Sequence, residues 1–173
     1  MAVRFLVFLS LLLTTTNIFA IEAESIPLGT GDVIAIDVFN EPELSVREKI
    51  SQSGVVLMPL IGSVNVLNKL PVQVAEELSK AYEDGYLVNA DVSVRVEKYR
   101  SFFISGAVFR PGAYEYVIGL SVEQAIAIGG GLRERASRKK WYILRNKQKL
   151  DEGVTGATSL MPGDILTIEE SLF

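Results

Sequence analysis

Between Ser105 and Ala136 the chain has little conformational freedom. Arg110-Pro111-Gly112 forces a reversal, because proline presets φ and glycine accepts the positive φ that other residues avoid. The alternating residues before it, Ser105 to Phe109, read as a strand that runs into this turn. A helix follows with its own start and stop signals: Ser121 as N-cap, Gln124 three positions on to complete a capping box, and Gly129-Gly130-Gly131 as a left-handed exit. Strand, tight turn, short capped helix and glycine exit together predict a small α+β unit.

The ordered string Gly106-Ala107-Val108, Pro111-Gly112, Tyr114, the helix with Leu120, Ala125 and Ile126, and Gly130-Gly131-Leu132 resembles the SLBB (soluble-ligand-binding β-grasp) domain of bacterial polysaccharide export proteins. The resemblance implies a β-grasp fold over 99–173. Within that span Trp141 to Leu144 predicts a strand, Asn146-Lys147-Gln148 a hairpin turn, and Met161 to Ile168 a last strand. The Gly163-Asp164 start of that last segment echoes Gly31-Asp32, which a shared turn-into-strand solution explains without a duplicated domain.

Upstream, Leu28-Gly29-Thr30-Gly31-Asp32 leads into Val33 to Phe39, with Ile34, Ile36 and Val38 on one strand face. A phosphate-binding loop needs the opposite order, strand before glycines and then a helix, so Asp32 is assigned to a turn in which it accepts nearby N–H groups. Pro71 suits the first position of a helix whose apolar residues Val74, Leu78 and Tyr82 repeat at helical spacing, leaving Glu76, Glu77 and Lys80 to solvent. Leu70, at its N-cap, has no acceptor to offer. Asp91 to Glu97 then alternates as a half-buried strand. Gly29 to Val38, Glu41 to Ser45, Pro59 to Val64 and Val92 to Val96 resemble the polysaccharide-export domain of the same family, which assigns 24–98 to a small mixed-sheet domain.

Residues 1–23 carry an early cation, Arg4, a short apolar run from Phe5 to Leu13, a Thr14-Thr15-Thr16 interruption and small residues at Ala20 and Ala23. That pattern predicts a secretory signal peptide, cleaved near Ile21 or Glu24, because the apolar run falls short of the ~20 residues a membrane span needs. A retained N-terminal anchor is the competing reading. The chain has no cysteine, so the acylated cysteine of many family members is missing and a periplasmic protein that is not a lipoprotein is expected. Longer family members end in an amphipathic pore helix; Ser171-Leu172-Phe173 offers none, and a separate outer-membrane component is expected.

With neither Cys nor His, thiol and Ser-His-Asp nucleophiles and Cys/His metal sites are excluded. Asp32, Asp37, Glu41 and Glu43 could be imagined as a glycosidase pair, but turn chemistry and solvation account for all four. No residue pattern calls for a cofactor or a metal. A net charge of -4 argues against nucleic acid as partner.

Two groups remain as candidate contacts. Arg133, Arg135, Arg138, Lys139, Lys140, Arg145, Lys147 and Lys149 hold 8 of the chain's 17 cations with one acid, Glu134, among them. This is either a solvated strand edge or a surface for an anionic polymer, a headgroup or a neighbouring subunit. Tyr99, Phe102, Phe103, Phe109 and Tyr114 form an aromatic group, part core by alternation, of which Phe109 and Tyr114 bracket the Arg110 turn as an exposed pair. The candidate interaction or glycan-contact residues are therefore Phe109, Arg110, Tyr114, Arg133, Arg135, Arg138, Lys139 and Lys140.

The resemblance implies a non-enzymatic periplasmic component of a capsular or exopolysaccharide export machine. Its expected partners are copies of itself in a ring, an inner-membrane co-polymerase that regulates chain length, the outer-membrane component and the polysaccharide. The alternative is a monomeric periplasmic carbohydrate-binding module.

Overall fold

The computed structural model describes residues 26–151 and 153–171; the predicted signal peptide lies outside them. Two hydrophobic cores account for the packing, one on each side of the Lys98–Phe102 connection.

The first core is built on β1 (Val33–Val38), which lies between β2 (Val46–Lys49) and β5 (Val92–Lys98), antiparallel to both. A separate hairpin, β3 (Val55–Met58) and β4 (Gly62–Asn65), closes one side. Helix α1 (Pro71–Glu83) presents Val74, Leu78 and Tyr82, all fully buried, to this core, and Glu76, Glu77 and Lys80 are exposed as their spacing dictates. Leu70 contributes no cap. Gln73 supplies the other half of a capping box, its Oε1 accepting the Leu70 N–H at 2.8 Å.

The second core lies between helix α2 (Val122–Ile128) and a five-stranded mixed sheet, ordered β7 (Gly112–Tyr114), β6 (Phe102–Gly106), β10 (Ile165–Glu170), β8 (Ala136–Arg145), β9 (Gln148–Leu150). β10 runs parallel to β6 and antiparallel to β8. Val122, Ala125 and Ile126 of the helix pack on Phe102, Ile104, Leu166 and Ile168. The α+β class expected from the sequence is what the chain adopts. Ile26 joins this second core rather than the first, so the chain enters the fold beside the domain it reaches last.

The capping box of α2 forms as expected: Ser121 Oγ accepts the Gln124 N–H at 3.3 Å and Gln124 Oε1 accepts the Ser121 N–H at 2.9 Å. The strand before it is shorter than predicted. It stops at Gly106, whose φ of +84° turns the chain out of the sheet, and Ala107 to Arg110 form a connection before β7. A side chain at Gly106 would collide with the carbonyl oxygen of Ile168 on the neighbouring strand. The last strand is also shorter at its start, because Met161 to Asp164 form a turn.

Candidate functional site

The two Gly-Asp sequences fold alike. In each, the aspartate N–H donates to the carbonyl three residues back, Asp32 to Gly29 and Asp164 to Met161, both at 3.1 Å. The carboxylate returns the bond, Asp32 Oδ2 accepting from Gly29 N–H and Asp164 Oδ2 from Met161 N–H, both at 2.8 Å. Gly31 and Gly163 hold the left-handed backbone that tightens each turn. Both aspartates are buried, and a buried carboxylate needs a cation. Arg100 supplies it to Asp32 at 2.8 Å; Arg145 supplies it to Asp164 through Nε at 2.9 Å and Nη2 at 2.7 Å. The bonds that Arg145 donates to Asp164 hold its proton more firmly than in a free arginine.

Arg145 therefore belongs to the fold and leaves the basic run. Lys149 is engaged too, 3.1 Å from Asp151 and 4.5 Å above the ring centre of Tyr142. Arg133, Arg135, Arg138, Lys139 and Lys140 are exposed and enter no ion pair among the described residues.

Three of these cations stand on a built feature. Trp141 faces Ile168 and Ala136 faces Glu170, so Ser137 to Lys140 lie opposite the single residue Glu169 and bulge outward. Ser137 Oγ accepts the N–H groups of Lys139 and Lys140 at 3.3 and 3.0 Å, and its carbonyl accepts the Trp141 indole N–H at 2.6 Å. The bulge thereby projects Arg138, Lys139 and Lys140 in succession.

Phe109 and Arg110 sit near the same end of the sheet, since the Ala107 N–H donates to the Ile168 carbonyl and its own carbonyl accepts from Arg133 N–H. Phe109 is 59% exposed. Arg110 bonds the last turn of α2 through Nη2, 3.1 Å from the Ile128 carbonyl. Tyr114 departs from the expected exposed pair: it is half-buried, its ring lies 5.9 Å from that of Phe102, and its hydroxyl donates to the Arg110 carbonyl at 2.6 Å. Nor do the five aromatics form one group, because Tyr99 pairs edge-on with Tyr116 at 5.6 Å, Phe102 is core and Phe103 lies partly exposed on β6.

The four acids weighed as catalytic are dispersed in role. Asp32 has its oxygens filled by Gly29 and Arg100, Asp37 contacts Arg95 at 2.7 Å, and Glu41 and Glu43 are exposed around a short 3₁₀ turn, Pro42–Leu44.

A cleft of about 500 Å³ that no local sequence pattern announces lies at the junction of the domains, bordered by Pro27, Asn68, Arg100, Arg145 and Lys147. Its walls come from distant parts of the chain, and only the Asn146-Lys147 turn and the repeated Gly-Asp pair hinted at it. No helix among the described residues is long and apolar enough to cross a membrane.

Compared with known proteins, residues 21–97 match the family described as polysaccharide biosynthesis/export protein, and residues 101–157 match the SLBB domain. The chain is also 34% identical over 86 residues to the exopolysaccharide production protein ExoF of Rhizobium meliloti (strain 1021). That alignment spans 49% of this chain and 20% of the relative. An export-protein match followed by an SLBB match, together with the likeness to ExoF, supports a polysaccharide export protein family for this chain.

Proposed function

We propose that the protein is a non-enzymatic periplasmic component of a capsular or exopolysaccharide export machine, where copies of it form part of a conduit between the inner and outer membranes. The observation that carries this reading is the order of the two matched domains, export then SLBB. The predicted signal peptide supports export of the chain, and the absence of cysteine from the sequence supports a protein that is not acylated there. Its partners in this reading are further copies of itself, an inner-membrane chain-length regulator, a separate outer-membrane component and the polysaccharide.

The surface supports repeated contacts between copies. A basic bulge at one end of the second domain and the exposed Glu76 and Glu83 of α1 on the first, which outnumber Lys80 beside them while Glu77 is paired with Lys69, would serve as the two halves of a head-to-tail association.

Two measurements test the proposal together. A strain lacking the gene should accumulate its polysaccharide inside the cell envelope and lose it from the surface, and light scattering should give the purified protein a mass several times that of one chain. Normal surface polysaccharide in the deletion strain ends the export reading. A protein that stays monomeric at all concentrations, with its membrane partner added, and binds oligosaccharide tightly is the carbohydrate-binding module instead.

A further inference from the structure

We infer that the cleft between the two domains binds an anionic sugar unit of the exported polymer, a hexose bearing a carboxylate. This rests on the export reading for the presence of a polymer and adds where, and by which charge, it is held.

A cleft of about 500 Å³ lies within the ~300–1,000 Å³ of small-molecule sites, and junctions between domains are where such sites concentrate. Its chemistry is one-sided. Arg100, Arg145 and Lys147 border it against a single lining carboxylate, Asp164, and that carboxylate is filled by Arg145 and the Met161 N–H. The second buried acid, Asp32, is likewise filled. Acceptors are therefore occupied while donors are left over. Among the described residues Arg100 bonds through Nη1 and its main-chain N–H alone, leaving Nε and Nη2, and Lys147 enters no ion pair.

Position strengthens the case for Lys147. It has φ +66° in the hairpin turn after β8, where asparagine or glycine is easier, so the backbone does not explain a lysine there. Asn146 beside it and Asn68, which also borders the cleft, are left-handed too, and their amides supply both a donor and an acceptor for sugar hydroxyls. Leu144 and Ile165 give the cleft an apolar portion suited to the C–H face of a sugar ring. With Arg100 and Arg145 each paired to an aspartate, Lys147 leaves the cleft with a net positive charge, which favours an acidic unit over a neutral one.

The test is a titration of the purified, ¹⁵N-labelled protein with a trisaccharide of galacturonic acid, a neutral glucose trisaccharide and acetate, read by amide shifts and calorimetry. The acidic trisaccharide should bind and shift the amides of Asn68, Asn146 and Lys147, more weakly as salt is raised. The neutral sugar and acetate should bind at least tenfold more weakly. Lys147→Asn, which suits the turn and removes the charge, should lower affinity about 3- to 10-fold, as loss of one partly exposed charge contact does. Arg47→Gln, at an exposed cation on β2 that does not border the cleft, should leave affinity unchanged. Equal binding of the neutral sugar, no binding of the acidic one, or shifts centred on Arg138 to Lys140 would each overturn the assignment. A blank titration with export lost in the deletion strain removes the cleft alone; normal export in that strain removes the export reading whatever the titration gives.

Discussion

Asp32 and Arg100, 68 residues apart in sequence, are joined twice: the Arg100 main-chain N–H reaches Asp32 Oδ1 at 2.6 Å and its guanidinium reaches Oδ2 at 2.8 Å. The arginine lies against Gly29 of the first Gly-Asp turn and Gly163 of the second, with a β-carbon at Gly163 falling 3.0 Å from its Nε. One side chain thus bridges the turn that opens β1 and the turn that opens β10, and fixes how the two domains meet.

Removing the charge of Asp32 should therefore be felt in both domains. Asp32→Asn keeps the shape but leaves Arg100 without its counter-charge at a buried contact, and should cost about 3 kcal/mol, the lower end for a broken buried pair because Arg100 is a quarter exposed. Urea unfolding measures it. In the double variant with Arg100→Gln the loss should be less than the sum of the two single losses, the signature of a direct pair. Additive losses would mean that the bond does not carry the junction.

Gly106 should tolerate no side chain, for two reasons that can be separated. Gly106→Ala meets both a positive φ and the Ile168 carbonyl, whereas Gly85→Ala meets a φ of +96° with nothing within 4 Å. The second change should cost about 1–2 kcal/mol, the backbone term alone. The first should cost well beyond that and weaken hydrogen-exchange protection along β6 and β10, whose parallel pairing ends there. Equal losses at the two sites would show that the close approach to Ile168 is unimportant.

These cases mark what local sequence can and cannot reveal. The Ser121–Gln124 cap and the Val74, Leu78, Tyr82 stripe were legible because their partners lie within a few turns of the same helix. The end of β6 was not, because Ile168 on a distant strand dictates it, and the alternating residues up to Phe109 carried no sign of the interruption. In sequence Arg145 is one of a run of cations for the same reason: nothing near it shows that Asp164 takes its charge, although the repeated Gly-Asp wording is a cue. The candidate surface was legible as composition. Its organisation into a bulge required the register of β8 on β10.

Tyr82 offers a prediction for alkaline solution. Burial raises its pKa above the usual 10.0, and its hydroxyl donates to the Pro59 carbonyl at 3.1 Å. A group whose pKa is raised on folding stabilises the fold fully below the unfolded value, about pH 10, and loses that contribution as pH rises through the folded value. Tyr82→Phe should lower stability by about 1 kcal/mol at neutral pH, one partly buried hydrogen bond, while flattening the loss above pH 10. Thermal unfolding followed across pH 8 to 11.5, a window set by about 1.5–2 units either side of that pKa, compares the two. An unchanged alkaline slope would place the titrating group elsewhere.

The basic bulge yields the prediction that separates fold from assembly. Arg138, Lys139 and Lys140 make no ion pair among the described residues, and the bulge is held by Ser137, so replacing all three with glutamine removes charge and leaves the scaffold. Each change at such a surface alters stability by no more than about 0.5 kcal/mol, so the unfolding midpoint should barely move. Association should respond instead, because in the proposed head-to-tail arrangement the three cations face an acidic neighbour, and such contacts are strongest where several charges act together. The triple variant should have a smaller mass by light scattering at low salt than the parent, and the parent should approach the variant as salt is raised. Reversing charge on the other side, with Glu76 and Glu83 both changed to lysine, should weaken the parent in the same way and partly restore a variant whose bulge carries three glutamates. If the triple glutamine variant assembles as the parent does at every salt concentration, the bulge is a solvated edge and copies of the chain meet through another surface.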